Sequence, residues 1–374
     1  MTIAPRVRAS ATLLALAGCS GDLVLPPRVA GSEYIDYHTD ADASVICMDD
    51  LLAREDRFIE RTAALLGVDP PPGTIDYVWE PAPDPSKPWA CPATAKACYQ
   101  HREEDDLSVV VSDSLRQHHE LVHAIQVQSL RASGHQTLEE GLAEYLGTLQ
   151  QSFFAPGEFP GAFKAMLAAS PTPSDYKLAM HFVGSIFARH GAEKYRALHT
   201  RMPVKARPEE FAAVFEAVYG QSLDAALAEM SEERVYAIDL FAGCGDGEAP
   251  ELVWSSDTLL EATIDGACGD PWFFGGGFVD GRAGFFGLYT VEVPQAGDYE
   301  LTVGAVAGGP APLSGLLTAC SFEKLESAAA SLRGQTGRAR LQPGRHTLAI
   351  AFPAGPEARG EATVRLAHVG PPEP

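Results

Sequence analysis

Between residues 48 and 66 the apolar positions recur at helical spacing. Leu51, Leu52, Phe58, Ile59, Ala63 and Leu66 share a face, and Gly67 follows as a stop. That pattern predicts one amphipathic helix. Around it, 34–38, 75–79 and 107–111 are short runs rich in β-branched and aromatic residues, which predict strands. The stretch between 80 and 106 carries prolines and cysteines and reads as a loop. From Asp113 to about Glu233 the pattern is almost wholly helical, with segments near 113–131, 137–151, 160–169, 174–191 and 208–232. Gly134, Pro156, Pro171, Pro173, Gly191 and Pro203 break it. The character changes near Cys244. Residues 250–374 are rich in glycine, with short alternating runs at 289–293, 299–303, 346–352 and 362–367. The turn-forming stretches 295–298 and 342–344 suit an antiparallel sandwich. The run 273–278 (Phe-Phe-Gly-Gly-Gly-Phe) reads as a strand and loop around a flexible hinge. No internal repeat is visible. The expected fold class is α+β: a small sheet leading into a mainly helical domain over 34–243, then a β-sandwich over 244–374.

The composition narrows the function classes. With 46% hydrophobic residues over 374 positions, the chain can bury well-formed cores and is not disordered. Its net charge of −22 repels phosphate backbones and anionic surfaces, so no nucleic-acid partner is expected. The first residues stand apart: Arg6 and Arg8 precede an apolar run, 11–17, too short to span a bilayer, which ends in Leu16-Ala17-Gly18-Cys19. This order resembles a bacterial lipoprotein signal. The resemblance implies a signal peptide over 1–18, cleavage before Cys19, and a diacylglycerol on its thiol. Residues 19–33, with Pro26 and Pro27, then form a tether, and Ser20 implies the outer membrane. A plain secretory signal with a chance cysteine is the alternative. Export would leave Cys47, Cys91, Cys98, Cys244, Cys268 and Cys320 in an oxidising compartment, where an even number suggests three disulfides. Fifteen pairings are open; locality favours Cys91–Cys98 and Cys268–Cys320, which leaves Cys47–Cys244. A cysteine-ligated zinc site is the other reading, weakened by the lack of any CxxC spacing.

One segment carries most of the chemistry: His118-His119-Glu120-Leu121-Val122-His123. On a helix, His119 and His123 project from one face, where two neutral imidazoles can share a Zn²⁺ ion. Glu120 then stands beside the open coordination position as a general base toward water there. This is the HExxH pattern of zinc metallopeptidases. A strand-like run precedes it, and Leu115, Val122 and Ile125 give the helix an apolar face. His118 points about 100° away from His119 and reads as an exposed neighbour.

Downstream, Glu139-Glu140-Gly141-Leu142-Ala143-Glu144 resembles the Glu-Gly-x-Ala segment of gluzincins, whose third zinc ligand is a glutamate. The resemblance implies a zincin-like catalytic domain, Glu140 as third ligand, and Glu144 steadying a ligand histidine. Thr137-x-x-Glu140 is also a capping-box match, in which Glu140 would only cap its helix, and Glu139 and Glu144 would be surface acids. The segment 175–183 is similar to the next helix of such peptidases, which implies Tyr176 as hydrogen-bond donor to a developing oxyanion, with His181 as second choice. A partly buried core tyrosine is the alternative. The aromatic residues of 211–223 read as core. In the C-terminal part, Trp254, Trp272, Phe273, Phe274, Phe285 and Phe286 suit sandwich packing better than a sugar- or peptide-binding face. That part is similar to β-sandwich appendages of secreted peptidases.

The sequence therefore points to an exported, lipid-anchored zinc metallopeptidase acting on a peptide or protein substrate. Two other readings remain open: a catalytically inactive zinc-containing surface binding protein, and a structural lipoprotein whose histidines decorate a helix.

Overall fold

The computed structural model describes residues 24–43, 46–92, 95–102, 107–130, 134–148, 151–155, 157–169, 171–233, 235–236, 249–279, 282–319, 329–332, 336–353 and 359–370. The segment 1–18, expected as a signal peptide, and Cys19 lie outside them. None of the described helices is long and apolar enough to cross a membrane.

The fold is α+β. Strands β1 (Arg28–Gly31), β2 (Ile35–His38), β3 (Ile75–Trp79), β4 (Ala97–Arg102) and β5 (Leu107–Ser112) form one sheet in the order β1-β2-β3-β5-β4. β2, β3 and β5 run parallel; β1 and β4 are antiparallel edges. Helix α1 (Met48–Leu66) forms over the expected residues, ends at Gly67, and connects β2 to β3. Two strands fall where none was expected. β1 lies in the presumed tether, and β4 lies in the presumed loop, where its half-exposed side chains give no alternating signal.

The helical part follows: α2 (His118–Leu130), α3 (Gln136–Gly147), α4 (Glu158–Ala169), α5 (Tyr176–Arg201), α6 (Pro208–Tyr219) and α7 (Leu223–Met230). A short pair, β6 (Gln151–Ser152) with β7 (Val235–Tyr236), ties its ends together. α5 continues past its expected end, with Gly191 at φ 73° marking a kink. The segment expected as one helix over 208–232 is split at Gly220. This whole region shares one core, in which Phe58, Tyr77, Val122, Leu142, Phe182 and Phe215 are buried.

The rest is a two-sheet antiparallel arrangement of β8 (Glu251–Leu252), β9 (Leu259–Ala267), β10 (Phe273–Val279), β11 (Arg282–Val293), β12 (Gly297–Gly304), β13 (Ser314–Ala319), β14 (Ala329–Leu332), β15 (Thr336–Leu341), β16 (Gly344–Pro353) and β17 (Arg359–Gly370). One sheet has the order β10-β11-β16-β13-β14, with β8 parallel to β11; the other has β15-β12-β17-β9. A second core lies between them, with Leu260, Phe273, Tyr289, Leu301, Ile350 and Leu366 buried. Trp254 and Trp272 pack against it, in keeping with the core reading. The run expected as a hinge is continuous β10, with a register shift between Gly275 and Gly277.

Cys91–Cys98 forms as locality suggests. The other expected pairings are overturned: Cys47 bridges to Cys268, with Cα atoms 5.2 Å apart. The start of α1 packs on β10, so closeness in space replaces closeness in sequence. Cys244 and Cys320 lie outside the described residues. The four described cysteines are oxidised, which removes them as zinc ligands. Cys47, Asp50 and Cys268 do cluster, but the two sulfurs are joined in the bridge.

Candidate metal centre

The sheet sets where α2 begins. Tyr37 and Tyr77 donate their hydroxyl hydrogens to the carbonyls of Leu115 (3.0 Å) and Ser114 (2.9 Å), and the Trp79 indole donates to Asp113 O (3.3 Å). Three successive carbonyls after β5 are thus satisfied by side chains. The chain stays non-helical until His118, five residues later than the apolar pattern suggested. Leu121, Val122 and Ile125 then bury one face of α2, and the Gln126 amide donates to Glu139 O of α3 at 3.2 Å.

α3 is capped by His135, whose Nδ1 accepts from Thr137 N. Thr137 therefore sits inside the first turn, and the capping-box reading of Glu140 is overturned. Glu139 does the terminal work instead: its Oε1 accepts from Gly134 N at 2.5 Å, and burial raises its carboxyl pKa. Two glycines let α3 approach its neighbours. A Cβ on Gly141 would lie 2.5 Å from Ala179 O of α5, and one on Gly147 would lie 2.5 Å from His119 N. The Tyr195 hydroxyl donates to Leu138 O at 3.0 Å and fixes α3 against α5.

This packing brings His119, His123 and Glu140 together. Their Nε2 atoms are 3.2 Å apart, and Glu140 Oε2 is 3.3 Å from His119 Nε2 and 3.5 Å from His123 Nε2. Tetrahedral zinc with N and O ligands at about 2.0–2.2 Å has ligand-to-ligand edges of about 3.3–3.6 Å. The three atoms form a triangle of that size. Despite its closeness to both imidazoles, the buried Glu140 Oε2 has no hydrogen bond of good geometry among the described residues. A buried carboxylate oxygen 3.3–3.5 Å from two ring nitrogens suits a cation held among the three, and the donor set fits zinc.

The surrounding charges act in the same direction. Glu144 Oε1 stands 3.3 Å from His119 Nδ1, on the side away from the triangle. Burial opposes a charge on His119, but Glu140, Glu144 and Glu120 outweigh it and lift its pKa to about 10. Burial likewise pushes the Glu140 carboxyl up, and the two imidazoles overcome this and hold it well below the usual carboxylate range. Glu120 is half-buried and acts electrostatically on both His119 and Tyr176.

Tyr176 opens α5, its ring nearly parallel to His119 at 6.0 Å between centroids, and its hydroxyl is in hydrogen-bond reach of Glu140. Burial first, then the charge of Glu140, raises its phenol pKa. His181 is elsewhere: its ring nitrogens pair with Ser152 Oγ and Met230 O, both at 2.9 Å, among Phe154 and Phe159. His118 is not the exposed neighbour expected. It pairs with Glu55 of α1 at 3.1 Å and stacks on Phe58 at 4.1 Å. The sequence signal for Glu55 is an acid on the apolar face of an amphipathic helix.

No protein-family model matches the chain, and no curated protein does. Solved structures match weakly. The pre-peptidase C-terminal domain of a collagenase from Bacillus anthracis is 16% identical over 32% of this chain and 93% of that one, at a TM-score of 0.19. An isomalto-dextranase of Arthrobacter globiformis T6, complexed with panose, is 14% identical over 30% of this chain and 23% of that one, at 0.19. A GH26-CBM35 β-(1,4)-mannanase from Podospora anserina is 12% identical over 32% and 29%, at 0.17. Scores this low carry no argument about fold or activity.

Proposed function

We propose that the chain is a zinc metallopeptidase of gluzincin type with a zincin-like catalytic domain, exported and lipid-anchored through Cys19 at the outer membrane. The observation that carries the reading is the triangle of His119 Nε2, His123 Nε2 and Glu140 Oε2, whose edges of 3.2, 3.3 and 3.5 Å match the spacing of zinc ligands. These three residues would hold the ion. Zinc, when bound, supplies Lewis acidity and lowers the pKa of water.

The chain's own residues divide the remaining work. Glu120 follows a ligand histidine directly and accepts the proton of the attacking water, then returns it to the amine as the peptide C–N bond breaks. The Tyr176 phenol, which its raised pKa keeps protonated at neutral pH, donates a hydrogen bond to the developing oxyanion. Glu144 holds Nδ1 of His119, which leaves Nε2 free as ligand atom and makes the ring more basic. The substrate is a peptide or protein.

The test is metal content of the full chain, beside His119→Ala/His123→Ala and Glu120→Gln variants. About one zinc per wild-type chain, none in the double variant, and zinc without peptide-library cleavage in Glu120→Gln is the expected result. Zinc with no cleavage by the wild type would favour a zinc-containing binding protein. No zinc in either chain after loading and dialysis would end the metallopeptidase reading and favour a structural lipoprotein.

A further inference from the structure

Helix α1 packs in the first core and also touches β10 of the sandwich. At its start Cys47 bridges to Cys268, and Asp50 Oδ2 accepts from Gly269 N at 2.8 Å. The β10 backbone comes so close here that a Cβ on Gly275 would lie 2.5 Å from Cys47 N. Further along α1, the Arg54 guanidinium, in a residue only 6% exposed, lies 4.2 Å over the Phe274 ring of β10. The next residue is Glu55, which holds His118, and Phe58 stacks on that imidazole.

A second path reaches α2 directly. Arg116, two residues before the helix, lies 5.1 Å from the Phe274 centroid and 5.4 Å from that of Phe286, and these rings stack at 5.5 Å. A guanidinium removed from water is held well by an aromatic face. The carbonyls of residues 113–115 are fixed by side chains of the parallel strands β2 and β3, and Arg116 is fixed by the sandwich. The entry into the helix that presents His119 and His123 is therefore gripped from two sides.

We propose that the β-sandwich is part of the support of the candidate metal centre, with Phe274 as a positioning residue that acts through Arg116 and α1 on the start of α2. The sandwich is then no detachable appendage, because the ligand triangle depends on a ring of β10. The inference rests on the zinc reading for one of its measurements and is independent of it for the other.

The experiment compares the full chain with Phe274→Leu, which keeps apolar volume and removes the π face. Phe274→Tyr keeps the face, and Leu317→Ala weakens the sandwich core away from the contact. Zinc affinity is read by competition with a chromophoric chelator, and amide exchange is read across α2. Phe274→Leu should bind zinc about tenfold more weakly and speed exchange at residues 121–125. Phe274→Tyr should match the wild type, as should Leu317→Ala despite its lower stability. Unchanged affinity and exchange in a folded Phe274→Leu would overturn the proposal, and so would an equal effect from Leu317→Ala. If the wild type binds no zinc, the proposed function fails, and the exchange comparison alone decides this inference.

Discussion

Replacing Gly147 by alanine adds one methyl group where α3 crosses the start of α2. Its Cβ would lie 2.5 Å from His119 N, 2.6 Å from His119 Cα and 2.8 Å from His118 C. Such atoms rest at roughly 3.5 Å or more, so the helices must part by about 1 Å. No rotamer relieves the clash, because the three nearest opposing atoms are backbone. The three atoms of the candidate metal centre sit on these two helices, with edges of 3.2–3.5 Å. Metal sites tolerate errors of only about 0.2 Å in ligand distance, so the shift exceeds the tolerance severalfold. Zinc affinity should fall by at least about tenfold, as it does when partners of ligands are lost. Overpacking should cost about 1–3 kcal/mol of stability. The gain of up to ~1 kcal/mol from replacing glycine in a helix offsets part of that. Gly161→Ala in α4 is the control, since no atom of the described residues lies within 4 Å of its Cβ. It should stabilise by about 0.5–1 kcal/mol and leave zinc binding alone. Chelator competition and denaturant unfolding on the three chains give both quantities. Wild-type zinc affinity in a folded Gly147→Ala would refute the claim that this crossing sets the triangle.

Three further outcomes are expected. On the proposed reading, zinc would displace the proton that the carboxylates hold on His119 up to a pKa of about 10, so zinc affinity should rise about tenfold per pH unit from neutral towards that value. Over the same range the metal-free chain loses the stability this proton gives, which is complete below the unfolded value of 6.5. Glu144→Gln should move the affinity curve to lower pH, and an unmoved curve would remove Glu144 from the account. His199 is buried, neither ring nitrogen finds a hydrogen bond among the described residues, and burial lowers its pKa to about 4. The unfolded chain protonates this residue first, so stability falls as pH drops from 6.5 to about 4, by up to about 3 kcal/mol; His199→Leu should flatten that fall, and an unchanged slope in urea titrations would contradict it. The bridges span 221 and 7 residues, worth about 5 and about 2–3 kcal/mol by chain entropy, so Cys47→Ser/Cys268→Ser should destabilise more than Cys91→Ser/Cys98→Ser. The reverse order of unfolding midpoints would reject this.

Local pattern determined much of the molecule. The face made by Leu51, Phe58 and Ile59 sets α1, Gly67 ends it, and β3 forms over the expected residues, because helix and strand periods are written in neighbouring positions. The i, i+4 spacing of His119 and His123 is likewise enough to put both rings on one face of a helix. Other features have no such local signature. β4 is an edge strand without alternation, and the carbonyls that delay α2 are engaged by Tyr37, Tyr77 and Trp79, dozens of residues upstream. The Cys47–Cys268 bridge and the Arg116–Phe274 contact join residues more than 150 positions apart. Glu140 shows the division most plainly. The sequence put a carboxylate on a helix and left it a cap or a ligand. Only the close crossings permitted by Gly141 and Gly147 carry its Oε2 to the two imidazoles, since a distance between helices is set by what packs between them.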